Sequence, residues 1–417
     1  MPSAHIDRVV DETEDAPAIF TPLIGQEQAV AALARAIRDA ADPAGPGPAM
    51  THAWLFTGPP GSGRSTAAGC FAAALLCSAG GCGSCATCTQ VPSGAHPDVE
   101  IVRPEGLSYS VDEARALIQR AALAPSLGMW HVFVIEDADR MTEQAVNVLL
   151  KILEEPPERT VWLLCAPSLE DVLPTVRSRV RHVSLRTPQT SQITQALVSR
   201  YGHEGVEIPL ATFAARASGG HVGRARALAL DERVRIRRQE ILRIPLELRD
   251  LPSCFVNAAN LLDAATEDAA AITQPLDAAE LASLHTSFGS SGGAGMAAVK
   301  GQLKRSMEAA EKELQRRQKA RSTRTVRDQV DRALVDMMGL YRDVLFLQVG
   351  AELPLINDEM RPQLHRLADS STSVETVRRL DAITRTRAQI QSAVTPLLAL
   401  ESLMVQLKDP TIGGSRT

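Results

Sequence analysis

A chain of 417 residues is too long for one ordinary hydrophobic core, and two or three domains are expected. Its balance of 45% hydrophobic and 22% charged residues is that of a soluble globular protein, and few aromatics beside abundant Ala, Leu, Val and Arg favour helix. A formal charge of −5 argues against a free-standing polyanion binder, so any contact with DNA would be local or made within an assembly.

The opening MPSAHIDRVVDETEDAPAIF has no apolar core followed by a cleavage site, and no run approaches the ~20 apolar residues of a membrane helix. A cytoplasmic protein that meets no membrane is expected. Residues 28–40 read as an amphipathic helix, followed by a Pro/Gly-rich loop. The apolar run 52–57 is a buried strand that ends in a Gly-Pro-Pro-Gly turn, and residues 65–77 are then helical. Further buried strands are expected at 99–102, 131–135 and 161–165, separated by helices at 111–123 and 143–155. Such alternation predicts an α/β core over residues 1–187, with a mainly parallel sheet covered by helices on both faces. Past Pro188 the strand signals fade. Three short helices at 191–201, 209–217 and 223–230 suggest a small helical lid over 188–237, and the chain reads as helix from there to 417. Residues 285–295 (HTSFGSSGGAG) predict a flexible loop. The basic stretch 316–332 is open to two readings, a solvated helix face or a nucleic-acid contact.

The strand at 52–57 leads into Gly58-Pro59-Pro60-Gly61-Ser62-Gly63-Arg64-Ser65, which opens a helix. Strand, eight-residue loop and helix are the setting of a P-loop, whose glycines let backbone N–H groups close around phosphate oxygens. Gly58, Gly61 and Gly63 supply that freedom, and Ser65 stands where a hydroxyl would hold Mg²⁺. Arg64 replaces the usual Lys, exchanging a compact ammonium for a broad planar fork. Either the loop is kept for the fold, or it holds ATP weakly and unproductively. The strand ending in Glu136-Asp137-Ala138 occupies the place of the metal-binding acidic motif, with Asp137 as the carboxylate. A hydrolysing site normally has Glu next, to activate the attacking water, and Ala138 has no group for it. Glu136 lies on the opposite face, because neighbouring strand residues alternate. The next strand ends Ala166-Pro167, and neither side chain donates a hydrogen bond to a γ-phosphate. All three departures point to lost hydrolysis.

Four of the seven cysteines crowd together as Cys77-x4-Cys82-x2-Cys85-x2-Cys88. Thiolates at that spacing, with glycines permitting tight turns, suit a closed tetrahedral Zn²⁺ of structural purpose. Iron–sulfur ligation is the alternative, without a partner signal for redox chemistry. Cys70, Cys165 and Cys254 are expected to be buried packers.

Asn147-Val-Leu-Leu-Lys151-Ile-Leu-Glu154-Glu155-Pro156-Pro157 closely matches an N-x-LLK-x-LEEPP signature. With the phosphate loop, the cysteine insertion and the short Gly25-Gln26, it makes residues 22–230 resemble the AAA+ clamp-loader family. Leu340–Asp343 and Thr395–Glu401 resemble segments of its C-terminal collar less specifically. The resemblance implies that Ser178-Arg179-Val180 occupies the place of the family's Ser-Arg-Cys motif, with Val for Cys. Arg179 is then the arginine that reaches a neighbouring subunit's γ-phosphate. Residues 238–417 become an all-α collar and oligomerisation domain. Within the family, the gamma/tau branch keeps an intact lysine and an Asp-Glu pair. The delta-prime branch has a degraded nucleotide site, a zinc module and the outward arginine, and this chain resembles it more. The implied role is that of a stator in a heteropentamer with gamma/tau and delta subunits. That ring is part of the DNA polymerase III holoenzyme and places the sliding clamp on primed DNA. The alternatives are an active gamma/tau-like motor, against which Ala138 weighs most, and a zinc-bearing scaffold with no clamp-loading role.

Overall fold

The computed structural model describes residues 16–104, 106, 108–289, 297–392 and 394–412, with the backbone alone described at 287–289 and 297–305. The chain divides into two compact units at Leu230/Asp231.

The first unit opens with α1 (Glu27–Ala40) and then alternates strand and helix. β1 (Ala53–Thr57), β2 (Val99–Val102), β3 (His131–Ile135), β4 (Thr160–Ala166) and β5 (Arg181–Ser184) are linked through α2 (Arg64–Leu76), α3 (Ala86–Gln90), α4 (Val111–Ala121), α5 (Glu143–Glu154) and α6 (Pro174–Arg177). Among the described residues the sheet has the order β2-β3-β4-β1-β5, with every pairing parallel. Its central strands β1, β3 and β4 are nearly continuous apolar runs because both faces are covered, whereas the edge strands β2 (VEIV) and β5 (RHVS) carry polar residues. Period-two alternation sends Trp54, Phe56, Val132, Val134, Val161, Leu163 and Cys165 into one core, beneath α1 and α2. Their neighbours Leu55, Phe133, Ile135, Trp162 and Leu164 enter the other, beside α4 and α5. There the rings of Phe133 and Trp162 stack with centroids 4.7 Å apart.

Local chemistry fixes the helix ends. Ser110 and Glu113 form a reciprocal capping box at the start of α4. Thr142 caps α5, whose hydrogen-bonded run stops before Pro156-Pro157. Beyond the sheet, α7 (Thr190–Tyr201), α8 (Ile208–Ala217) and α9 (Val222–Leu230) complete the first unit.

The second unit consists of helices: α10 (Glu232–Glu247), α11 (Leu251–Gly289), α12 (Ala297–Val349), α13 (Arg361–Asp369), α14 (Ser373–Gln391) and α15 (Pro396–Lys408), with one short 3-10 turn before α13. Two expectations need correction. A boundary at 237/238 falls inside α10, where an unbroken helix offers no linker. Residues 285–289 continue α11 and are not loop, and 290–296 lie outside the described residues. Packing on α12 overrides the weak local propensity, with His285 Nε2 2.6 Å from Glu311 Oε1 across the hairpin.

Buried charged groups also tie this unit together. Arg238, 3% exposed on α10, bonds Glu359 at 2.9 Å and Asn357, with Asp336 at 3.4 Å. Asp343, fully buried, accepts the backbone N–H groups of Ile356 and Asn357 at 2.9 and 2.7 Å. Several arginines of the basic stretch 316–332 have partners within the unit. Arg321 pairs with Asp277 and Glu280 on α11, Arg316 and Arg317 lie near Glu313, and Arg327 donates to the carbonyls of Ile390 and Ser392. No described helix is both long and apolar enough to cross a membrane.

Candidate functional site

β1, buried along its length, delivers the glycine loop at the carboxyl end of the sheet, and α2 begins at Arg64. Gly61 has φ 85°, and a Cβ there would fall 2.2 Å from Cγ of His221. Glycine is therefore required both for the turn and for the close approach of the 218–222 segment, whose Val222 N–H donates to the Gly61 carbonyl at 3.4 Å. Loop and helices enclose a cavity of about 380 Å³, lined among others by Ile24, Gly63, Arg64, Ser65, Arg200 and Arg226. Arg64 Nη1 and Ser62 Oγ are buried without a hydrogen-bond partner among the described residues. An unpaired buried cationic donor at a helix N-terminus is what a phosphate would satisfy, so these residues fit a nucleotide's phosphates.

Gln26, 4% exposed, ties this loop to the chain leaving the sheet. Its Nε2 donates to the carbonyls of Arg186 (2.7 Å) and Ser62 (3.4 Å), and its Oε1 accepts from Arg186 N–H at 3.0 Å.

The acidic end of β3 is occupied differently. Arg103 grips Glu136 in a fork, Nε to Oε2 at 2.6 Å and Nη2 to Oε1 at 3.1 Å, so that carboxylate has a structural partner. Asp137 adopts φ 49°, an uncommon backbone for a side chain of its size, with Arg140 Nε 3.8 Å away. Ala138 is 9% exposed and brings only a methyl group to the position after it. Burial first, and then the charge of Asp137, push the Asp139 carboxyl above its ordinary range. At the end of β4, Ala166 is buried and the Pro167 carbonyl accepts Gly58 N–H at 3.1 Å. The next hydroxyl, Ser168 Oγ, is committed to Asp171 at 2.9 Å.

Arg179 stands two residues past α6, half-exposed. Its Nη1 donates to the Thr175 carbonyl (2.7 Å) and Ser178 Oγ (2.9 Å), and its Nη2 lies 2.5 Å from Glu154 Oε1 at the end of α5.

The four cysteines converge where α2 ends and α3 begins. All four sulfurs lie within 4.8 Å of one another, with Cys77 Sγ 3.8 Å from Cys82 and 3.7 Å from Cys85. Tetrahedral Zn–S bonds of about 2.3 Å would put sulfurs about 3.8 Å apart, so the donor set and its dimensions fit a four-thiolate metal centre. Backbone N–H groups of Ser84 and Cys85 lower the Cys82 thiol to about 6, whereas burial raises Cys88 to about 12. Gly81, at φ 105°, admits no side chain, because a Cβ would sit 2.8 Å from Ile19 and 3.1 Å from Ala74. Cys70, Cys165 and Cys254 are buried apart from this cluster, and burial raises the thiol of each.

Residues 28–189 match the family profile described as DNA polymerase III, delta subunit. That segment is DNA polymerase III delta-subunit-like. The chain is 35% identical over 213 residues to a DNA polymerase III subunit gamma/tau of Mycobacterium bovis, covering 49% of this chain and 35% of that protein. It is 34% identical over 154 residues to a subunit delta' of Bacillus subtilis (36% and 47% covered) and 40% identical over 134 to one of Pseudomonas aeruginosa (31% and 41%). The chain thus spans less than half the length of each of these relatives, which include both subunit types.

In this delta-subunit-like core Gly61, Gly63, Arg64 and Ser65 line one cavity, whose lining does not include Gly58 or Asp137, the four cysteines cluster separately, and Arg179 stands apart beside Glu154. The α7–α9 face of the cavity was not anticipated from sequence. Arg200, Tyr201, His221 and Arg226 line it, with the Arg226 guanidinium 5.6 Å from the centre of the Tyr201 ring. The arginines at 224 and 226, just past a Gly-Gly pair, were the available signal.

Proposed function

We propose that this chain is a clamp-loader subunit of the DNA polymerase III assembly, of the delta-prime kind. In this reading it does not hydrolyse ATP itself and lends Arg179 to ATP held by an adjacent gamma/tau-type subunit. The observation that carries the proposal is the acidic strand end, where Asp137 is followed by Ala138 and the neighbouring carboxylate, Glu136, is engaged by Arg103. Without a carboxylate at the position after Asp137, the site lacks the group that would orient or deprotonate an attacking water. Arg179 is half-exposed. A trans arginine stabilises negative charge that grows on the transferring phosphoryl group, and in GTPase systems is worth roughly 10³–10⁵-fold in rate.

Zn²⁺, held by Cys77, Cys82, Cys85 and Cys88, would brace the fold and leave no open position for chemistry. The phosphates of ATP would lie against the Gly58–Gly63 loop, with Arg64 as cation and Ser65 and Asp137 as candidate Mg²⁺ ligands. The proposed partners are gamma/tau and delta subunits and, through the complex, the sliding clamp and primed DNA. The described helices from α10 to α15 would form the collar.

The test is ATP turnover by the chain alone and by the complex reconstituted with gamma/tau-type subunits, using native or Arg179→Ala chain. No turnover alone, and at least a tenfold loss in the mutant complex, is expected. A second reading, an active motor, draws on the 35% identity to a gamma/tau relative and on the buried Nη1 of Arg64, which has no hydrogen-bond partner among the described residues. Steady turnover by the isolated chain would establish it.

A further inference from the structure

Resting on the reading of Arg179 as the outward arginine, we propose that Glu154 is its positioning residue. It would hold the guanidinium in the pose that meets the neighbouring nucleotide.

Arg179 follows only four residues of helix, so its backbone alone gives a long side chain little direction. An arginine free in solvent samples many rotamers, and that freedom is lost each time it docks. Here three contacts remove most of that freedom beforehand. Two are local, from Nη1 to the Thr175 carbonyl and Ser178 Oγ. They fix one corner of the guanidinium but leave it able to swing about that corner. The third comes from a different element: Glu154 Oε1, at the end of α5, lies 2.5 Å from Nη2. A planar fork held at both terminal nitrogens has one orientation.

The hold leaves donors to spare. A guanidinium has five N–H groups, and three are used, so two remain for a phosphate without dismantling the pose. The pair is also weak enough to serve. With Arg179 35% and Glu154 49% exposed, it lies among surface ion pairs, which are individually weak. It can bias the arginine's direction without competing strongly with a multiply charged phosphate. α5 is held in turn by Val146, Leu149, Ile152 and Leu153 in the core beneath β3 and β4, so the carboxylate is presented from a rigid support. The Glu154-Glu155-Pro156-Pro157 sequence thereby gains a chemical duty for its first acid, besides ending a helix.

The experiment is a double-mutant cycle in the reconstituted complex, reading kcat and KM for ATP with native, Glu154→Ala, Glu154→Gln, Arg179→Ala and Glu154→Ala/Arg179→Ala chains. Glu154→Ala is expected to lower kcat about two- to fivefold with KM little changed, the kinetic equivalent of a surface pair. Glu154→Gln, which keeps an acceptor without the charge, should fall between it and native. In the Arg179→Ala background Glu154→Ala should have no further effect, because nothing is left to position. An unchanged or raised kcat in Glu154→Ala, beside a clear loss in Arg179→Ala, would overturn the positioning role alone. Equal losses from Glu154→Ala in both backgrounds would overturn it too, assigning Glu154 to the fold. If Arg179→Ala itself costs nothing, the outward-arginine reading falls and this inference with it.

Discussion

Asp98 offers a quantitative test of how the core is held. It is 1% exposed, and its carboxylate accepts the backbone N–H groups of Ser126 (2.5 Å), Leu127 (2.8 Å) and Gly128 (2.6 Å), fastening the loop between α4 and β3. Hydrogen bonds to a charged acceptor contribute about 1.5–3 kcal/mol each; the loop can partly rehydrate, so the lower end applies and Asp98→Ala should cost about 4 kcal/mol. Asp98→Asn retains one acceptor oxygen but turns an NH₂ towards N–H donors, and should cost about 2 kcal/mol. Burial by itself would raise this carboxyl, yet the three N–H groups prevail and hold it below its ordinary 3.8. The sign follows from linkage. A depressed native value means that the charge stabilises the fold fully above the unfolded-state value, and that this contribution is lost as pH falls through 3.8 and below. Urea unfolding of native and Asn chains, from pH 7 to pH 2.5, should therefore show a gap that is constant near neutrality and narrows in acid. A gap that stays the same across the whole range would refute the assignment to charge.

Cys85→Ser should lower zinc content on chelator challenge, as followed by metal analysis, while leaving the helices from α10 onward intact by hydrogen exchange; full metal retention would remove Cys85 from the ligand set. Arg238→Ala removes a buried cation from among Asp336, Asn357 and Glu359, and should cost about 3–5 kcal/mol in denaturant unfolding of the second unit. Gln26→Ala deletes the bonds to Arg186 and Ser62 and should destabilise the first unit by about 2–3 kcal/mol, with faster exchange of the Arg186 amide. Unchanged exchange there would mean that the hydrogen bond does not hold that strand end.

The features legible in the sequence were those whose cause is local. Apolar runs marked the central strands, because a parallel sheet covered on both sides leaves no polar face there. The glycine loop declared itself through its setting between strand and helix, and the cysteine cluster through spacing within twelve residues. What stayed hidden depends on partners remote in the chain. Residues 316–332 read as a basic run, yet Arg321 meets Asp277 and Glu280 more than forty positions away on α11. The same blindness applied to His285, placed in a loop by its Ser/Gly neighbours although Glu311 and α12 keep it helical. Arg179 was visible as a candidate, but its contact with Glu154 required α5 and α6 to be brought side by side.

Helix α2 spans 13 residues, and at 1.5 Å per residue is about 20 Å long. Its first residue is Arg64, at the phosphate loop, and Cys77 of the sulfur cluster caps its far end. In the proposed reading the metal-binding cysteines and the phosphate loop would sit at the two ends of one rod, so removing zinc from the cluster should be felt at Arg64 as well as at the cysteines.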